Sequence, residues 1–151
     1  MKTKILKFVT ILFVSVCGFS SCEDNILFTE YSSLEFDCDW YDYRKHDWSN
    51  FDKVIIINSY KELKKHIECP NSYPNIDFSI HTLLLAKGIT GNSCYGTVKS
   101  FQQTSKNKYM LYVEVILGAS EAMDSWGVAL VSNKLSKGCN VGLSIETKRG
   151  W

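Results

Sequence analysis

The densest set of chemically capable side chains in this chain of 151 residues is the segment DCDWYDYRKHDW, residues 37–48. Asp37, Asp39, Asp42 and Asp47 supply carboxylates, and Trp40, Tyr41, Tyr43 and Trp48 supply flat apolar faces. Calcium requires about six to eight oxygen ligands, and an EF-hand loop places them around a turn glycine. This segment has neither that spacing nor the glycine, so no metal or other cofactor is expected. Aromatic rings interleaved with acids can instead stack on sugar rings or cover a protein partner, as in the anchor residues of interfaces. The same rings could equally pack onto a sheet as an N-terminal cover. The candidate partner-binding residues here are Trp40, Tyr41, Tyr43 and Trp48.

Asn92-Ser93-Cys94-Tyr95-Gly96 is the second candidate, a turn that presents Tyr95 where recognition loops present aromatic tips. It also reads as a plain connection between two strands. A thiol nucleophile at Cys94 needs a base within hydrogen-bond reach and a third group to orient that base. His46, His66 and His81 are the available imidazoles. No Gly-x-Ser-x-Gly elbow, His-Glu-x-x-His pair or phosphate-cradling glycine loop accompanies them. The chain is therefore expected to be non-catalytic.

The amino terminus indicates a compartment. Lys2, Lys4 and Lys7 precede an apolar run from Phe8 to Phe19, and Ser20-Ser21-Cys22 closes it. A dozen apolar residues are too few to cross a bilayer core, which takes about 20, and the pattern fits a cleaved export signal. Small residues before Cys22 resemble the lipobox of bacterial lipoproteins, although Phe19 stands where a Leu-type residue is usual. That resemblance implies lipidation at Cys22 and removal of residues 1–21. Glu23 and Asp24 resemble the surface-export signal of Bacteroidetes-type lipoproteins, which implies an outer-membrane anchor and display at the cell surface. Residues 22–36 are then a tether, and residues 37–151 a single domain.

Cys38, Cys69, Cys94 and Cys139 remain in the body. An even number in an exported chain suggests up to two disulfides, and spacing does not choose among the connectivities. No Cys-x-x-Cys pair is present, so zinc is not expected. Charge is uneven along the chain. Residues 22–52 hold nine acids against Arg44 and Lys45, while residues 53–151 carry twelve basic residues against seven acids. The basic residues are scattered rather than clustered, which argues against nucleic acid as a partner.

The elements that must position these groups are clearest from residue 53 onward. Lys53 to Asn58 is a β-branched run suited to a buried strand. Ser59-Tyr60-Lys61-Glu62 matches a capping box. Tyr60, Leu63 and Ile67 follow on one helical face, and Cys69-Pro70 stops the helix. Thr82 to Ala86 is an apolar strand ending at Gly88, and Gly96 to Gln103 a half-polar one. Tyr109 to Leu117 alternates, with Leu111, Val113, Val115 and Leu117 on one face. Trp126 to Ser132 and a strand carrying Val141, Leu143 and Ile145 complete the set. The reading is α+β: a mainly antiparallel sheet of about five or six strands with one helix packed on a face.

This succession is KVIIINSYKELKKHI, Asp77-Phe78, LLLAKG, a Thr-Gly…Tyr turn and a late strand carrying a lysine. It resembles the C-terminal domain of the PrcB type, small exported accessory proteins of protease complexes, and small lipoproteins of Bacteroidetes-type bacteria. The related turn usually reads Gly-Gly-Tyr, whereas here it is Thr90-Gly91-Asn92-Ser93-Cys94-Tyr95. The resemblance implies an envelope protein that binds or supports another macromolecule, such as a protease or an outer-membrane complex. A glycan-binding accessory lipoprotein is the alternative, and a small hydrolase the third reading.

Overall fold

In a computed structural model, the chain is described at residues 27–28, 31–33, 38, 40–42, 44 and 50–150. Cys22, Tyr43, His46, Trp48 and the export signal lie outside the described residues. The architecture is mostly β, in two four-stranded sheets with one short helix. The strands are β1 (Leu27–Phe28), β2 (Tyr31–Ser33), β3 (Val54–Ile57), β4 (His81–Thr90), β5 (Cys94–Ser105), β6 (Lys108–Leu117), β7 (Asp124–Asn133) and β8 (Asn140–Arg149). The helix α1 (Tyr60–His66) follows β3.

The first sheet runs β1-β5-β6-β8 and the second β2-β7-β4-β3. Their facing surfaces enclose Leu84 and Ala86 of β4, Phe101 of β5, Leu111, Val113 and Val115 of β6, and Trp126, Val128 and Leu130 of β7. A single sheet of five or six strands is thus replaced by two packed sheets. The alternation in β6 is as expected, with Leu111, Val113 and Val115 buried, but the partner of that face is the second sheet and not the helix.

The helix packs on the other side of the second sheet. Leu63 and Ile67 are wholly buried there against Ile57, Leu83, Leu85 and Ala129. β4 is therefore covered on both faces: Leu84 and Ala86 look into the sandwich, Leu83 and Leu85 toward the helix. That is why its sequence is a continuous apolar run rather than an alternation. The capping box forms with a shift. Ser59 Oγ accepts the Glu62 N–H at 3.2 Å, while the Glu62 carboxylate accepts the N–H of Asn58, one residue before the cap, at 2.7 Å.

Pairing departs from the expected antiparallel order at one place. β8 lies parallel to β6, from Lys108↔Asn140 to Leu117↔Arg149. The cause is the path between them: the chain leaves β6, runs back as β7 in the opposite sheet, and returns to the first sheet beside β6. Two short strands also arise within the expected tether, where Leu27–Phe28 pairs with β5 and Tyr31–Ser33 with β7. Among the described residues no helix is long and apolar enough to cross a membrane.

Candidate functional site

Tyr41 and Tyr95, drawn from the two segments singled out above, meet at one end of the sandwich. They line a common open depression of about 210 Å³ with Cys94, Thr97 and Ser125. The strand starts beneath them are pinned by Asp124. One carboxylate oxygen accepts the Cys94 N–H at 2.8 Å and the other the Ser125 N–H at 2.8 Å. The register breaks between Cys94 and Gly96, a bulge of the kind that re-aims a side chain. Tyr95 is turned out by it and is 69% exposed. The preceding turn is tied down by the Ser93 N–H to the Ser120 carbonyl at 2.9 Å and the Gly118 N–H to the Ser93 carbonyl at 2.6 Å.

Each tyrosine rests on a glycine. A Cβ at Gly118 would stand 2.6 Å from Tyr95 Cε1, and one at Gly127 would stand 2.6–2.9 Å from three carbons of Tyr41. A Cβ at either glycine would meet the ring in its present position, so the rings lie close on the backbone and turn their outer faces to solvent. Trp40 meets Tyr41 edge-on at 5.6 Å.

Trp40 itself is corrected from its assignment as a partner-binding residue. It is 5% exposed and packs with Cys38 over Leu83, Leu85 and Ala129, because the second sheet presents an apolar outer face that the helix covers only in part. Lys87 holds this cover in place. Its ammonium donates to the Trp40 carbonyl at 3.0 Å and lies 4.8 Å from the centre of the Phe51 ring. The cover is also stapled covalently by a Cys38–Cys69 disulfide to the chain just after α1. Tyr41, next to Trp40, remains 39% exposed. Within one segment, Trp40 is part of the cover and Tyr41 stays at the surface.

Of the four body cysteines, Cys38 and Cys69 form one disulfide, within the expected one or two, and Cys94 and Cys139 are free thiols. The register explains it. Cys94 pairs with Leu117 at one end of β6, whereas Asn140, next to Cys139, pairs with Lys108 at the other. That is roughly 30 Å at a strand rise of about 3.3 Å per residue, far beyond disulfide reach. The same geometry separates Cys94 from His81. β4 carries His81 at one end and Thr90, paired with Asp124 beside Cys94, at the other. These two do not form a nucleophile–base pair.

Burial pushes both thiols above their ordinary pKa, and at Cys94 the Asp124 carboxylate adds to the shift. A raised pKa leaves little thiolate at neutral pH. Alkylation of Cys94 and Cys139 should therefore be slower at pH 7 than for an unhindered thiol, and should accelerate only above the usual thiol range. Peptide mass spectrometry of iodoacetamide-treated protein across pH checks this, and rapid modification of Cys94 at pH 7 would contradict it.

The Asp42 carboxylate is engaged by Arg44, whose Nε and Nη2 donate to its two oxygens at 2.9 Å each. Among the described residues, no group of three or more His, Cys, Asp or Glu side chains is placed to hold a metal ion. Gly118, Gly127 and Asp124 were not legible as site residues. A glycine inside the apolar strand Trp126-Gly127-Val128 was the available signal, since glycine in a strand interior often marks a close approach.

No family model, curated protein or solved structure matches this chain. What the site can do is argued from its own geometry. Two exposed rings, each over a glycine and backed by a pinned strand edge, form an open aromatic surface at this end of the sandwich.

Proposed function

We propose that this chain is a non-catalytic, lipid-anchored protein of the cell envelope that docks a protein partner through the Tyr41–Tyr95 surface. The observation that carries the reading is the seating of both rings on Gly127 and Gly118. Ordering a side chain on binding costs about 0.5–1.5 kcal/mol. A tyrosine that lies against backbone on one face has fewer open positions to lose on binding, and a tyrosine has only two side-chain torsions to order.

Anchoring at Cys22 in the outer membrane is part of the proposal and rests on the amino-terminal pattern. The layout that resembles PrcB-type domains supports a protease or an outer-membrane complex as the partner. The test is crosslinking of the tagged protein in its native envelope, followed by affinity capture and mass spectrometry. Tyr95→Ala and Tyr41→Ala should each lower recovery of the partner about tenfold or more, the loss of an interface anchor worth roughly 2 kcal/mol. Both variants should unfold at nearly the wild-type temperature, since neither ring fills the core. Undiminished recovery from the double variant would contradict the proposal.

A further inference from the structure

The opposite end of the sandwich carries a larger cleft, of about 420 Å³, between the β3–α1 junction and the loop joining β7 to β8. Its size lies in the range of small-molecule sites, about 300–1,000 Å³. Ile56 and Leu135 give it apolar surface, and Asn58, Glu62, Lys134 and Lys137 give it polar groups of both charges.

The walls are fixed by hydrogen bonds rather than by loose contact. The buried Thr82 hydroxyl bridges them, donating to Asn58 Oδ1 at 2.8 Å and accepting the Leu135 N–H at 3.1 Å. The Lys134 N–H donates to the Ile80 carbonyl at 2.8 Å, and its ammonium to the Phe78 carbonyl at 2.6 Å. Ser136 Oγ donates to Asn107 Oδ1 at 2.9 Å, tying the loop to the β5–β6 turn. Glu62 is held by the Asn58 N–H. The cleft is preformed, which lowers the cost of filling it.

We propose that this cleft binds a small zwitterion with apolar side chains, of the free amino acid or short peptide class. The lining sets two lysines against one carboxylate, so it favours a ligand carboxylate, and Glu62 adds a place for an ammonium on the same ligand. A ligand with both charges can set its ammonium toward Glu62, its carboxylate toward Lys137 and Lys134, and its apolar body on Ile56 and Leu135. The site is separate from the tyrosine surface, and its occupancy does not depend on the protein partner.

Cys139 lies in the lining of this cleft, and Cys94 at the far end of the sandwich serves as an internal control. The full chain is alkylated with iodoacetamide at a pH above the usual thiol range, with and without leucyl-leucine as the probe, and both cysteine peptides are quantified. Saturating dipeptide should slow modification of Cys139 about fivefold or more and leave Cys94 unchanged. Lys137→Glu, a change at an exposed loop residue, should raise the dipeptide concentration needed about tenfold, the size of one lost charged contact. N-acetyl-leucyl-leucine amide, which lacks both charges, should not protect. Absence of protection by the zwitterion, equal protection at both thiols, or equal protection by the capped peptide would overturn the proposal.

Discussion

Cys38→Ser, or reduction of the Cys38–Cys69 disulfide, should lower stability by about 3–4 kcal/mol, the chain-entropy value for a loop of this length. The bond spans 31 positions and encloses β3 and most of the helical layer. Its loss enlarges the unfolded ensemble and frees the segment that carries Trp40 and Tyr41. Differential scanning calorimetry should show a Tm fall of roughly 10 °C. The same variant should capture less partner, because Tyr41 keeps its seat on Gly127 only while Trp40 is pinned beside it. A Tm within about 2 °C of wild type would mean that packing alone holds the cover.

Phe101→Ala tests the other layer. Its ring is wholly buried between the sheets, stacked on Tyr109 with ring centres 5.5 Å apart. It shares the interior with Leu84, Leu111, Val113 and Leu130. Emptying that volume removes the transfer free energy of the ring and leaves a cavity that two hydrogen-bonded sheets cannot collapse to fill. The expected cost is about 3–5 kcal/mol, read as a lower urea midpoint with an unchanged slope. A loss under about 1 kcal/mol would show that the sheets do not pack face to face at this point.

Much of this architecture was legible from residue 53 onward because there the signals are local. The capping box, the proline after the helix and the alternation along Tyr109 to Leu117 each depend on a few neighbouring residues. The doubly covered β4 was legible as a buried strand in its run of leucines, but not what covers each face. That depends on partners far along the chain: the first sheet, through Phe101 and Leu111, on one side, and on the other the helix and the segment around Trp40. The two-sheet arrangement was missed for the same reason, since alternation shows that a face is buried and not against what. The parallel β6–β8 pair was missed because a crossover through the opposite sheet leaves no local mark.

The candidate site was half legible. Aromatic composition pointed to Tyr41 and Tyr95, and it pointed equally to Trp40, which the outer face of the second sheet claims for the core. What distinguishes them is the backbone beneath. Gly127 and Gly118 are remote in sequence from the rings they seat, and only the tertiary register brings them together. The disulfide could not be chosen among its connectivities from spacing; the fold decides it by setting Cys94 and Cys139 at opposite ends of β6.

The central claim is that the exposed faces of Tyr41 and Tyr95 touch a protein partner. The most direct measurement places the photoreactive residue p-benzoylphenylalanine at position 95, and in a second protein at position 112 on the outer face of the first sheet. Both are irradiated in the native envelope. The account predicts one dominant crosslinked protein from position 95 that is missing from position 112 and lost on Tyr41→Ala. Crosslinks from position 112 alone, or from neither position, would contradict it.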